Sequence, residues 1–166
     1  MSPRATGVLA SAVILAACAT DTGLAPDERA ALADSVRAFA AGMVATIDGH
    51  DVDGFIANHL DGPDFAWATY GAITPLDSHH VSMKAYFPSD AGKNVRFRLG
   101  DSKVHVIGRN AAVLTGIIHS TNVDSAGNPT TGHEAWSIVV QRIDGAWKVV
   151  QAHESYPRPP APTPAP

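Results

Sequence analysis

The segment Asp144–Ser155, DGAWKVVQAHES, puts an imidazole and a hydroxyl two residues apart near the end of what reads as a strand. Strand side chains alternate faces. Trp147, Val149, Gln151, His153 and Ser155 therefore share one face, apolar at its start and polar at its end. The same phase on AAVLTGIIHST groups Val113, Thr115, Ile117 and His119, and on HEAWSIVVQRI it groups His133, Ala135, Ser137 and Val139. His59 completes the apolar stripe of a short helix, Val52, Phe55, Ile56 and Leu60, and so faces the sheet. Trp67 and Tyr70, on an earlier strand, are placed to wall a cavity. His59, His119, His133 and His153 are the candidate inward imidazoles. Histidine titrates near neutral pH and is the commonest general base. Beside a tyrosine or serine it can shuttle a proton in an isomerase-like reaction, with His153 and His119 the first candidates. The other reading is a hydrogen-bonded core histidine that ties helices to the sheet.

Other chemistries lack their residues. His79 and His80 are adjacent, so their rings diverge in helix or strand. No His-x-x-x-His, Cys-x-x-Cys or Glu-x-x-His spacing occurs, and no metal is expected. There is no glycine-rich phosphate loop before a helix and no Gly-x-Ser-x-Gly elbow, so no cofactor is expected. No pair of acids suited to act as base and protonated acid stands out. The net charge of -4 gives no reason to expect nucleic acid. Cys18 is the single cysteine, so no disulfide can form within the chain.

The elements that must position these residues are legible in outline. With 45% hydrophobic and 17% charged residues, 166 residues can build one packed domain. Pro26-Asp27-Glu28 opens a helix, with proline in the first turn and acids at the positive end of the dipole. Leu32, Val36, Phe39, Met43 and Ile47 give it an apolar stripe, and Gly49 ends it. Asp51 caps the short second helix. Residues 65–70 read as a strand and 77–87 as a third helix stopped by Pro88. Five strand-like runs follow, separated by turn residues such as Arg109-Asn110 and Asp144-Gly145. Helices first and a strand meander after predict an α+β fold with helices on one face of a curved antiparallel or mixed sheet. Trp136, Ile138 and Val140 alternate with Ala135, Ser137 and Val139, so their strand is apolar on both faces. One face covers the helices; the other calls for a two-fold partner, which predicts a homodimer through the outer face of the sheet.

The ends read differently. A single Arg4 precedes an apolar run from Val8 to Ala17, too short for a bilayer span but of signal-peptide length. Leu15-Ala16-Ala17-Cys18 resembles the bacterial lipobox, in which the cysteine is lipidated and becomes the first mature residue. The expected organisation is a signal peptide over 1–17, a tether over 18–25, a domain over 26–157 and a proline-rich tail over 158–166. Several acyl chains on Cys18 would hold the exported protein to a membrane. Ala19, where an Asp would retain a Gram-negative lipoprotein in the inner membrane, points to the periplasmic face of the outer membrane, or to the cell surface in another host.

The order of elements and the terminal segment resemble the nuclear-transport-factor-like superfamily and, within it, the SnoaL-like group. Gly145, Trp147, Lys148, Val149, His153 and Ser155 carry the likeness. The resemblance implies a cone in which a curved sheet wraps helices around a pocket. It also implies a choice among roles: a binder of a small, mostly apolar ligand, an isomerase, cyclase or dehydratase, or an assembly module without catalysis. Binding is the leading expectation, with His59, Trp67, Tyr70, His119, His133, Ser137, Trp147, Gln151, His153 and Ser155 around the ligand. Where a cyclase-like last strand would carry an acid, this chain has Gln151 and His153.

Lipidation has a direct check. Radiolabelled palmitate should enter the wild-type protein and not Cys18→Ala; equal labelling of both would overturn the expectation.

Overall fold

The structure, a computed structural model, describes residues 23–123 and 126–157. The signal segment, Cys18, most of the tether and the tail over 158–166 lie outside the described residues. Helix α1 spans Pro26–Asp48 and ends at Gly49. Its buried face is Ala33, Val36, Ala40, Met43 and Val44, while Leu32, Phe39 and Ile47 flank it half-buried. The face is turned relative to the expected stripe because two alanines lie at its centre. Small side chains let the helix backbone come close to the sheet, and the larger residues wrap around that contact. Helix α2, Val52–Ile56, is capped by Asp51, whose carboxylate accepts the Gly54 N–H at 2.9 Å. Strands β1 (Ala66–Thr69) and β2 (Ala72–Thr74) form a hairpin, and helix α3 spans Leu76–Tyr86.

Four long strands follow as an antiparallel meander: β3 (Arg96–Gly108), β4 (Ala111–Val123), β5 (Pro129–Ile143) and β6 (Ala146–Ser155). The β5–β6 turn is Asp144-Gly145, both at positive φ (51° and 83°), a two-residue hairpin turn whose twist suits the strands. The sheet order is β2-β1-β6-β5-β4-β3, and β1 runs parallel to β6. The fold is thus the α+β arrangement expected, with the sheet mixed. Helix α1 packs on β3 and β4. The core of Val36, Met43, Trp67, Leu114, Trp136, Ile138, Val140 and Val149 fills the concave side.

Two irregularities set which residues face that side. In β3 the register shifts between Leu99 and Ser102. In β6, Val140 pairs with Val149 while Val139 pairs with Gln151, so Val150 is an extra residue. One extra residue exchanges the faces of everything beyond it. Trp147 and Val149 are buried, and after the bulge it is Ala152, not Gln151 or His153, that is buried. The expected polar row from Trp147 to Ser155 is therefore split. Its first half faces the core and its second half the outside.

Candidate functional site

At the end of the sheet nearest α3 lies a cavity of about 240 Å³. Its walls come from most of the elements: Ile47 of α1, Phe55 of α2, Trp67 of β1, Phe97 of β3, and His79, Met83 and Tyr86 of α3 with Phe87 behind them. A small recess of about 40 Å³ continues inward between Val44, Ile118 and Trp136. The aromatic lining follows from strand phase. Trp67 is inward on β1, Trp136 on β5 and Phe97 on β3 ahead of its bulge. His79 stacks on the Trp67 indole, ring centres 3.8 Å apart, and burial lowers its pKa to about 4. It is therefore a neutral aromatic at physiological pH.

The polar side of the cavity is two glutamates. Glu134 continues the inward row Trp136, Ile138, Val140 of β5, and Glu154 continues the inward row of β6 beyond the bulge. Trp136 is directly opposite Glu154, which makes Glu134 its diagonal neighbour. Burial raises the pKa of Glu134 to about 7, and the charge of Glu154 adds to the rise. Glu154 is also raised, chiefly by burial, but four groups support its charge: Tyr156, Trp67 and Thr69, and His153 through its charge. The Tyr156 hydroxyl donates to its Oε2 at 2.7 Å and the Thr69 hydroxyl donates to the same oxygen at 3.3 Å. The Trp67 indole N–H lies close enough to favour the charged carboxylate, yet it completes no hydrogen bond. Tyr156 is itself pushed well above the ordinary phenol range by burial and by both carboxylates. Among the described residues neither glutamate meets a cation.

The residues singled out in the sequence are distributed differently. Trp67 lines the cavity. Tyr70 sits in the β1–β2 turn, largely exposed, and stacks on Tyr156 at 4.4 Å at the mouth. His59 is in the core: its Nδ1–H donates to the Phe55 carbonyl at 3.0 Å, Nε2 has no partner, and burial lowers its pKa to about 4. Trp147 faces inward at the other end of the sheet, its N–H donating to Ser35 Oγ at 2.9 Å. Gln151, His153 and Ser155 lie on the outer face because of the Val150 bulge. Ser137, opposite His153, is on that face too, bonded to Thr115. His119 and His133 are cross-strand partners on the outer face as well. His119 lies over Gly100, where a Cβ would come within 2.6 Å of its Nε2, and His133 lines a neighbouring pocket of about 440 Å³ that shares Phe97, Glu134 and Tyr156 with the cavity. The expectation that these six residues face the pocket fails: the bulge turns the β6 residues outward, and the β4 and β5 residues alternate with the more apolar row that the core takes. His153 is neither a pocket base nor a core strut. Glu134, Glu154, Tyr156 and His79 were not among the candidates, and the structure brings together two acids, Glu134 and Glu154, where no suited pair stood out in the sequence. The row Trp136, Ile138 and Val140 was the available signal, since it outweighs its alternates in apolar bulk and carries Glu134 inward with it. No group of three or more His, Cys, Asp or Glu side chains able to hold a metal occurs among the described residues.

Residues 39–158 match the family described as the calcium/calmodulin dependent protein kinase II association domain. The chain belongs to that family. Among solved structures, this association domain is similar to that of C. elegans CaMKII, with a TM-score of 0.67 at 18% identity over 78% of this chain and 98% of that one. It is also similar to a putative association domain from Xanthomonas campestris, with a TM-score of 0.62 at 14% identity over 76% and 88% of the two chains. A third is an NTF2-like protein of unknown function from Pseudomonas putida KT2440, with a TM-score of 0.63 at 18% identity over 77% and 88%. These identities speak for the fold, which is the nuclear-transport-factor-like cone expected from the terminal segment. No curated protein sequence matches the chain.

The association domain's acid pair has a pH signature. A pKa raised from 4.5 to about 7 means that the folded state binds more protons between those values. Ionised Glu134 thus costs stability above about pH 7, and the cost fades as pH falls toward 4.5. Glu134→Gln should melt a few degrees above wild type near pH 8 and level with it near pH 5. His59 and His79, with lowered pKa values, weaken both proteins alike as pH falls from 6.5 toward 4, so they cancel in the difference. A pH-independent difference would contradict the assignment.

Proposed function

We propose that the domain is a self-associating module that binds a small, mostly apolar molecule in the cone cavity. The observation that carries the reading is the cavity: aromatic walls from four elements around two adjacent carboxyls, with Tyr156 at its edge stacked on Tyr70. Mostly apolar lining with a few convergent polar groups is the usual make-up of a ligand site, and about 240 Å³ suits a ligand of modest size. Self-association is supported by the family match and by the names of the similar domains from C. elegans, Chlamydomonas and S. rosetta, which are called association or hub domains. The outer face of the sheet suits it: Val113, Ile117 and Val139 are only half-buried there among Thr115, Ser137 and Ala135.

A catalytic reading attaches to Glu134 rather than to His153 or His119. A carboxyl titrating near neutrality beside a second carboxyl is fitted to donate and accept protons. It needs a bound substrate, so binding is the prior question.

Three aromatic probes that differ in head-group charge test the cavity: phenylethanolamine, phenylethanediol and mandelate. At least one should shift the indole N–H resonances of Trp67 and Trp136 and leave that of Trp147 in place. Silence of both resonances with all three would overturn the pocket reading. Sedimentation of residues 26–157 tests assembly: a dimer or larger species is expected at high micromolar concentration, weakened by Ser137→Arg on the outer face. A wild-type monomer would refute self-association.

A further inference from the structure

The occupant's chemistry can be taken further, resting on the pocket reading above. Glu134 and Glu154 are diagonal neighbours on the concave face, both lining one cavity with no lysine or arginine in its wall. The nearby histidine, His79, is stacked on Trp67 and kept neutral by burial. The nearest Lys on α3, Lys84, is engaged with Asp53 outside the cavity. Buried carboxylates are ordinarily paired with a cation or with enough donors to replace water. Glu154 has its Tyr156 and Thr69 donors, whereas Glu134 is supported only by the Tyr156 hydroxyl it shares with Glu154. No lysine or arginine in the cavity wall offsets the two carboxyls.

A second observation concerns the indoles: that of Trp67 lies beside Glu154, while that of Trp136 supports the charge of neither acid. The indole N–H groups of Trp67 and Trp136 are buried, with the residues 1% and 3% exposed, and neither has a hydrogen-bond partner. Trp67 lines the main cavity and Trp136 its inner recess. Buried donors without acceptors are uncommon in folded proteins, and each calls for an explanation.

We infer that the cavity takes a small organic cation: a protonated amine seated between Glu134 and Glu154, on an apolar or aromatic body that carries an oxygen acceptor toward the indoles. The aromatic lining suits the ammonium as well as the body, because ring faces attract cations. Phe55, Trp67, Phe97 and Tyr156 present that lining next to the carboxyls. The amine completes the charge pair, and the body fills the apolar volume.

The three probes named above separate this inference from the pocket reading on which it rests. All carry a phenyl ring and a hydroxyl; the head is an ammonium, a hydroxyl or a carboxylate. By titration calorimetry near pH 8, phenylethanolamine should bind at least about tenfold more tightly than phenylethanediol, with mandelate weakest. The preference should shrink in Glu134→Gln and in Glu154→Gln and vanish in the double variant. Each ratio is measured within one folded protein, so loss of stability cannot imitate it. If phenylethanediol or mandelate binds as well as the amine, or the preference survives in the double variant, the cation is wrong and the pocket stands. If none of the three binds, the inference falls together with the pocket.

Discussion

The Val150 bulge is the constraint on which the site depends. Below it β6 buries Trp147 and Val149 against α1 and its neighbours; beyond it the strand buries Ala152 and brings Glu154 inward. Without the extra residue, the end of β6 would present Gln151 and His153 to the concave side, and the cavity would be lined by amide and imidazole in place of carboxylate. A bulge also adds local twist. That twist helps β6 meet β1 in parallel at Ala66–Ala68 while still pairing with β5 on its other edge. The bulge in β3 does the same for Phe97 and Leu99 against Val104 and Val106, so the mouth and the deep end of the cone are set in phase separately.

The cavity is electrostatically costly in the free protein. Glu134 is held near a pKa of about 7 by burial and by Glu154, and His59 and His79 are held neutral down to about 4 by burial. Near neutral pH the concave side thus keeps these two imidazoles uncharged, while burial works against the charge of both carboxyls. A core chosen for stability alone would place apolar residues at these positions. Unfavourable polar groups gathered around one cavity are what a site maintained for binding has in common with other functional sites.

Much of the fold could be read from the chain, and less of the site. The Pro26 start and Gly49 end of α1, the Asp51 cap and the Asp144-Gly145 turn are local signals, each decided by residues within one turn, and the structure has them. The outward or inward sense of a strand is different. It depends on pairing with a partner strand, and a single unpaired residue reverses it. Val150 carries no mark of being that residue: it is as apolar and β-branched as Val149 beside it. Reading Trp147 through Ser155 as one uninterrupted face therefore gave the right start and the wrong end. On β5 the ambiguity was resolvable, because Trp136, Ile138 and Val140 make a bulkier apolar row than Ala135, Ser137 and Val139, and following that row would have led to Glu134. His79 was passed over because its stacking on Trp67 is a contact between α3 and β1 that no spacing encodes.

The parallel pairing of β1 with β6 gives the cavity its own place in the order of folding. The meander from β3 to β6 closes through short turns, so its contacts are local and quickly made. Thr69 and Glu154, whose side chains meet at the mouth, are 85 residues apart along the chain. Contacts that close so long a loop form late. The wall that Trp67 and Thr69 supply is therefore added to a sheet already built. The β2–β1 hairpin sits at the sheet's edge, joined to the other strands through β6 alone and anchored by Trp67 against His79 and Phe55.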